Sequence, residues 1–270
     1  MKESAKFWHA ADIGDLELLK ANYITHTFSR HTHTGYVIGT IERGVEVYDY
    51  RGETHFALPG DIVLINPDMV HTGHAGVESG WAYRVFYPSI DLIKGLAEDI
   101  GQNAEDMPYF KATVINDAGL ARDIMALHQI LEHSTSRLER QTWFNQVMGR
   151  LLLKHAGNPP GVKPLQRERK ALEKAVAYIH DTLGESISLE ELSAQVGLSP
   201  FYFSRIFTRQ MGLPPHAYRK QLRILKAKQL LLNKVPIAQV AQETGFADQS
   251  HLTRQFKQIV GVTPGQYVGG

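Results

Sequence analysis

The chain changes its hydrophobic rhythm along its length. Between residues 25 and 90 the apolar positions come in short runs: Tyr36–Ile41, Gly44–Tyr50, Ile62–Ile65 and Trp81–Tyr87. These runs are rich in β-branched and aromatic side chains, and the second alternates apolar with polar over part of its length. Leu58-Pro59-Gly60-Asp61 and Asn66-Pro67-Asp68 supply turns between them. Many short strands with frequent turns predict a small antiparallel β-barrel or sandwich. From residue 117 the period lengthens to that of a helix. Leu120, Ile124, Leu127 and Leu131 make one stripe over 117–133, and Phe144, Val147, Met148, Leu151 and Leu152 make another over 136–155. The linking Ser134-Thr135-Ser136 is short, which predicts antiparallel neighbours. The two stripes serve either to pack on the barrel or to form a dimer seam.

Residues 156–164 break the pattern with two Gly and three Pro in nine positions, a density that neither helix nor strand tolerates. The expected organisation is therefore a first domain at 1–155, a linker at 156–166 and a second domain at 167–270. The second is helical and contains a repeat. Phe203-Ser204-Arg205-Ile206-Phe207, followed by Gly212-Leu213-Pro214-Pro215, recurs 49 residues later as Leu252-Thr253-Arg254-Gln255-Phe256 and Gly261-Val262-Thr263-Pro264. One supersecondary unit is used twice.

Each copy closes a helix-turn-helix pattern, at 188–211 and 236–260. In the first, Ser188 and Glu191 form a capping box, Gly197 ends the helix, and Ser199 caps the next helix with Pro200 at its first position. Phe203, Ile206 and Phe207 form the inner stripe, which leaves Phe201, Ser204, Arg205 and Arg209 on other faces. In the second, Pro236 starts a helix, Gly245-Phe246 makes the turn, Asp248 caps, and Leu252, Phe256 and Ile259 point inward. Gln249, Ser250, His251, Thr253, Arg254 and Lys257 then have reach or position for DNA. Residues 215–233 read as one long helix. Leu222, Leu225, Leu230 and Leu231 are its apolar contacts, and Arg219, Lys220, Arg223, Lys226 and Lys228 its charges. A helix of this kind fits a major groove, and two on a helical spacer suit groove turns about 34 Å apart.

Charge sharpens this picture. Residues 1–160 hold 14 Lys and Arg against 20 Asp and Glu, a net −6, and residues 161–270 hold 15 against 8, a net +7. A basic half joined to an acidic half suits a nucleic-acid module attached to a different kind of module. With no cysteine, disulfides, thiolate metal sites and cysteine nucleophiles are excluded. The N-terminus is too charged for a signal peptide, and no segment is long and apolar enough to span a bilayer, so a cytoplasmic location with no membrane partner is expected.

Residues 172–268 resemble the DNA-binding domain of the AraC/XylS family of bacterial transcription regulators. The resemblance rests on Leu189–Ser193, Val196–Ser199, Phe203–Phe207, Gly245-Phe246, Ser250–Lys257 and Gly261–Tyr267. It implies an all-helical fold, and it puts Phe201, Ser204 and Arg205 of the first unit, and Gln249, Ser250, Thr253 and Arg254 of the second, at the DNA. Arg30-His31-Thr32-His33 and Pro59-Gly60-Asp61 with His71 are similar to the same family's N-terminal barrel, a cupin relative. Metal-bound cupins add a Glu soon after the H-x-H pair. Here Val37 and Ile38 stand where that Glu belongs, and the nearest is Glu42. His31, His33 and His71 are thus weak metal candidates, and the expectation is an effector pocket without metal. The mouth of a small barrel is a usual ligand site, lined here by His31, His33, Tyr36, Tyr48, His71, Trp81, Tyr83 and Arg84.

These readings converge on a two-domain, sequence-specific DNA-binding transcription regulator controlled by a small-molecule effector. Double-stranded DNA, the effector, a second copy bound through helices 117–155, and RNA polymerase are the expected partners, with activation the favoured direction of control. The competing classes are a cupin-type metalloenzyme with a DNA-binding tail and a constitutive architectural DNA binder.

Overall fold

The structure is a computed structural model that describes residues 3–101, 107–157, 168–260 and 263–269. Most of the expected linker, residues 158–166, lies outside the described residues, as do Gly261 and Val262 of the second repeat. The chain divides into two compact units: Met1–Thr135 with Trp143–Lys163, and Ser136–Thr142 with Pro164–Gly270.

Strands β1 (Ser4–Ala10), β2 (Leu16–Tyr23), β3 (Thr27–His31), β4 (Val37–Gly44), β5 (Glu46–Tyr50), β6 (Glu53–Ala57), β7 (Ile62–Ile65), β8 (His71–Ala75), β9 (Trp81–Tyr87) and β10 (Val114–Ile115) build the first unit. They form two sheets, of order β1-β2-β9-β4-β7-β10 and β3-β8-β5-β6. Every pairing is antiparallel. The two sheets share one core, in which Leu19, Ile41 and Val85 meet Tyr48, Tyr50 and Ala57. Helices α1 (Ile90–Asp99), α2 (Ala118–His133) and α3 (Arg137–His155) follow in the chain. Four of these elements, β1, β2, β10 and α1, were not foreseen from the sequence pattern.

Strand β9 sits in the middle of the larger sheet, between β2 and β4. Alternate residues of a strand face opposite sides. Trp81, Tyr83 and Val85 turn into the shared core, and Arg84 turns outward to α2. There its Nε donates to Glu42 at 2.6 Å and its Nη1 to Glu132 at 2.9 Å. His128, fully buried on α2, completes the cluster: one ring nitrogen lies 3.1 Å from Arg84 Nη1 and the other 3.1 Å from the Leu19 carbonyl. A carbonyl and a guanidinium fix the tautomer, with Nε2 donating and Nδ1 accepting. Burial, then the adjacent guanidinium, push His128 down to about 3, so it stays neutral. Burial pushes Glu132 up, but Lys6 and Arg84 outweigh it and hold this carboxyl at about 2.

Helices α4 (Glu168–Asp181), α5 (Leu189–Ala194), α6 (Pro200–Met211), α7 (Pro215–Leu232), α8 (Ile237–Glu243), α9 (Gln249–Val260) and α10 (Pro264–Gly269) form the second unit. Two apolar clusters hold it, one around Phe203, Ile206 and Phe207, the other around Leu252 and Phe256. Leu225 and Ile259, expected inside, are exposed, because each lies off the stripe that its neighbours bury. Arg219 and Arg223 turn inward as well. Arg219 donates to the carbonyls of Thr182 and Glu185, and Arg223 to those of Leu183 and Glu185, so they satisfy the chain just past the end of α4. Gly245 has φ +72°, and a Cβ there would sit 2.5 Å from Arg223 Nη2 and 2.6 Å from the Gly184 carbonyl. Only glycine fits both the conformation and the space.

Replacing His128 by Ala removes one acceptor from the Arg84 guanidinium and one donor from the Leu19 carbonyl in a buried site. The expected loss in urea-unfolding stability is about 2–4 kcal/mol; a loss below about 1 kcal/mol would show that the cluster is not needed.

Candidate functional site

Between the two sheets of the first unit lies a cavity of about 370 Å³. Antiparallel alternation decides which residues reach it. His31, His33, Tyr48, His71 and Tyr83 of the expected pocket line it, joined by Phe28, Glu46 and Tyr87, which the sequence reading did not select. Three expected residues do not line it. Arg84 cannot share a face with its neighbour Tyr83, and it serves the outer cluster. Tyr36 has the wrong parity beside Val37, which does line the cavity; its hydroxyl donates to the Pro108 carbonyl at 2.6 Å. Trp81 has the right parity but is buried under Tyr23, with ring centres 5.2 Å apart.

The three histidines meet. Their ring centres are 4.3 to 5.3 Å apart, and one ligating atom from each falls within 4.8 Å of the others. His31 Nδ1 lies 2.8 Å from the Ser29 carbonyl, and His71 Nδ1 lies 2.9 Å from that of Met69. A carbonyl only accepts, so both Nδ1 atoms carry the proton and both Nε2 atoms keep a lone pair. Burial, then the neighbouring histidines, lower His33 to about 4; burial foremost also lowers His71. Imidazoles whose second nitrogens are anchored to carbonyls, as in His31 and His71, fit a divalent transition metal. Among the described residues no carboxylate joins the cluster.

Glu46 also lines the cavity. It shares parity with Tyr48 and Tyr50, and so faces inward. In the β5–β8 ladder it pairs with Ala75, while Tyr50 pairs with His71. Four residues of strand, about 13 Å, therefore separate Glu46 from His71 along the ladder. Burial pushes its carboxyl up to about 8, so it is protonated at neutral pH.

In the second unit, Ser188 and Glu191 form the expected capping box. Ser199 accepts from the Tyr202 amide to start α6, and Asp248 accepts from the His251 amide at 2.7 Å to start α9. On α9, Gln249, Ser250, Arg254 and Lys257 are exposed, and His251 and Thr253 are half-buried, opposite the buried Leu252 and Phe256. On α6, Arg209 is exposed and Arg205 half-buried. Phe201 and Ser204, placed at the DNA by resemblance, are inside: Ser204 is fully buried. At about 100° per residue, Ser204 follows the inner stripe of Phe203 and Phe207, and Phe201 lies one turn before it. Tyr202 occupies the outer face instead, with the Arg205 guanidinium 5.4 Å from its ring centre. Spacing i, i+3 was the signal for that pair.

Two family descriptions match the chain: an AraC-like ligand binding domain over residues 13–148, and a helix-turn-helix domain over residues 192–269. The uncharacterized HTH-type transcriptional regulator YbfI of Bacillus subtilis is 28% identical, over 88% of this chain and 86% of its own. The arabinose operon regulatory protein of Salmonella typhimurium is 27% identical, over 87% and 84%. Among solved structures, the C-terminal domain of the two-component response regulator yesN from Fusobacterium nucleatum is 32% identical, covering 37% of this chain and 98% of its own with a TM-score of 0.35.

The raised Glu46 has a measurable consequence. Between about pH 4.5 and pH 8 the folded protein keeps a proton that the unfolded chain has lost, so this group's contribution to stability falls as pH rises. Glu46→Gln removes that dependence. The melting temperature of the variant relative to the wild type is expected to climb from pH 5 to pH 8; a difference constant over that range would contradict a protonated Glu46.

Proposed function

We propose a function on the premise that this chain belongs to the AraC family of DNA-binding transcription regulators, with a ligand-binding domain ahead of its helix-turn-helix domain. The proposal is effector control: a small molecule enters the cavity between the sheets and changes how the helix-turn-helix units engage a particular duplex sequence. Such control requires only that the effector favour one of two states of the protein. Within this reading, residues 1–155 receive the effector, 156–166 link, and 167–270 bind DNA.

The outward face of α9 carries the reading. Gln249, Ser250, Thr253, Arg254 and Lys257 stand opposite a buried apolar stripe, with His251 at the edge. Arg and Gln pair bidentately with guanine and adenine edges in a major groove. Arg205, Arg209 and the added Tyr202 are the corresponding groups of α6. The exposed Lys226 on α7 neutralises phosphate, which gives affinity without sequence information. Arg219 and Arg223 are spent on carbonyls and are withdrawn from that role.

A homodimer through residues 117–155, contact with RNA polymerase, activation and a cytoplasmic location complete the proposal. The leucine stripes that suggested a dimer seam are buried within the chain, so a seam would use other positions of these helices. No described helix is long and apolar enough to cross a membrane.

A second reading, a cupin-type metalloenzyme with a DNA-binding tail, draws on the histidine cluster. His31, His33 and His71 would hold the metal, which would supply Lewis-acid chemistry to a bound oxygen. Against it, the carboxyl that would act as a base is Glu46, which is protonated and lies far along the ladder. Metal content of protein prepared without nickel is expected to be far below one per chain; stoichiometric metal that is lost in His31→Ala would favour the enzyme.

Arg254→Ala is expected to weaken binding to the selected operator by about 1–3 kcal/mol and to relax preference at one base position. Lys226→Ala is expected to weaken all duplexes alike and to lower the salt slope by about one. Binding titrations across salt and operator variants read both; an unchanged base preference in Arg254→Ala would leave that arginine a structural residue.

A further inference from the structure

The cavity of the first unit contains a carboxyl with nothing to hold. Glu46 is only 8% exposed, yet it lines the cavity, and among the described residues no hydrogen bond or ion pair reaches it. A protein interior tolerates an unpaired carboxyl poorly. Its surroundings leave room for a partner. That room is the cavity itself, which both Glu46 and Phe28 line; at Gly73 a Cβ would lie 3.3 Å from Glu46 Oε1 and 3.2 Å from the Phe28 ring, so the glycine lets carboxyl and ring pack side by side against β8. Tyr48, Tyr83 and Tyr87 line the same cavity, and the charge of Glu46 bears on all three phenols.

The lining has one electrostatic sign. It includes two carboxyl residues, Glu17 and Glu46, and neither Lys nor Arg. An anionic ligand would meet neither Lys nor Arg, and would find two carboxyl side chains in the lining instead. A neutral alcohol would satisfy Glu46 with an ordinary hydrogen bond. An ammonium does more: it ionises the carboxyl, makes a charge-assisted bond to it, and sits among aromatic faces that attract cations.

We propose that the cavity binds a small organic amine, its ammonium on Glu46 and its carbon skeleton among Phe28, Tyr48, Tyr83 and Tyr87. This names the chemical class of the effector and rests on the effector reading of the cavity given above.

The test uses the full chain and three probes of one size: 2-phenylethylamine, 2-phenylethanol and phenylacetate, with butylamine as a smaller amine. Calorimetric titration is expected to show 2-phenylethylamine binding at least about tenfold more tightly than the alcohol or the acid. Glu46→Gln is expected to cost the amine about tenfold or more while leaving the alcohol within about twofold. Alcohol or acid binding as tight as the amine, amine affinity indifferent to Glu46→Gln, or no binding of either amine would each overturn the proposal. Should Glu46→Gln fail to fold, the wild-type comparison of amine with alcohol still decides, since these probes differ only at the group that meets the carboxyl. Operator binding, measured alongside, separates the two readings. An amine that binds without altering DNA affinity would sink effector control and leave the amine site. An alcohol that binds more tightly and does alter DNA affinity would sink the amine class and leave effector control.

Discussion

The first unit depends on the parity of β9. One central strand must furnish a cavity wall on one side and a helix seat on the other, and the two-residue period of a strand allows no residue to do both. Tyr83, Val85 and Tyr87 go to the cavity. Arg84 goes to α2, where Glu42, Glu132 and His128 surround its guanidinium. A slip of one residue would put a guanidinium into the cavity and a tyrosine among carboxylates. The register is therefore fixed twice, by packing inside and by charge outside. This is also why the cavity contains neither Lys nor Arg although β9 contributes three of its lining residues and has an arginine in its middle.

The second unit solves a different problem with the same economy. Its recognition helices must bury one stripe and present the other. A twelve-residue helix has few positions, and α6 uses more of them for its core than α9 does. Phe201, Phe203, Ser204, Ile206 and Phe207 of α6 are all buried, which leaves Arg209 and Gln210 exposed and Tyr202, Arg205 and Thr208 half-buried. On α9 the first two residues and Arg254 and Lys257 stay exposed. The copies are thus alike in fold and unequal in the chemistry they offer. Arg205 and Arg254 hold the same place in the repeat, yet Arg205 is half-buried over Tyr202 while Arg254 is exposed.

Much of this could be read from the residues, and the failures have physical causes. The helix-turn-helix units were readable because caps and turns are local: Ser188 with Glu191, Ser199, Asp248 and the left-handed Gly197 and Gly245 need only their near neighbours. The barrel was readable as a class but not in detail. Strand β1 was missed because Ser4–Ala10 is mostly exposed, so no apolar run marks it, whereas β2 does bury Leu16, Leu18 and Leu19 and its signal was passed over. The pocket list failed where it ignored parity, placing both Tyr83 and Arg84 inside. Parity would also have found Glu46, which stands two residues before Tyr48 on the same face. A polar residue in a strand is usually read as solvent-facing, and that habit hid it. The inward turn of Arg219 and Arg223 had no sequence signal, because the carbonyls they satisfy belong to residues 182–185, more than thirty positions away.

The groups that make the cavity useful also make it expensive. Glu46 is buried without a partner, and His33 and His71 are held in their neutral forms by burial. None of these arrangements helps the empty protein fold, since each keeps a polar group from water. Folding is sustained elsewhere, by the shared core and by the cluster of Arg84, His128 and Glu132 on the far side of the same sheet. A ligand that satisfies the inner groups stabilises whichever state of the protein holds it, by an amount set by its concentration and affinity. Unmet polar capacity inside a rigid wall is therefore what lets a small molecule have a preference between states at all, because a ligand that found nothing unsatisfied would bind every state alike and shift none.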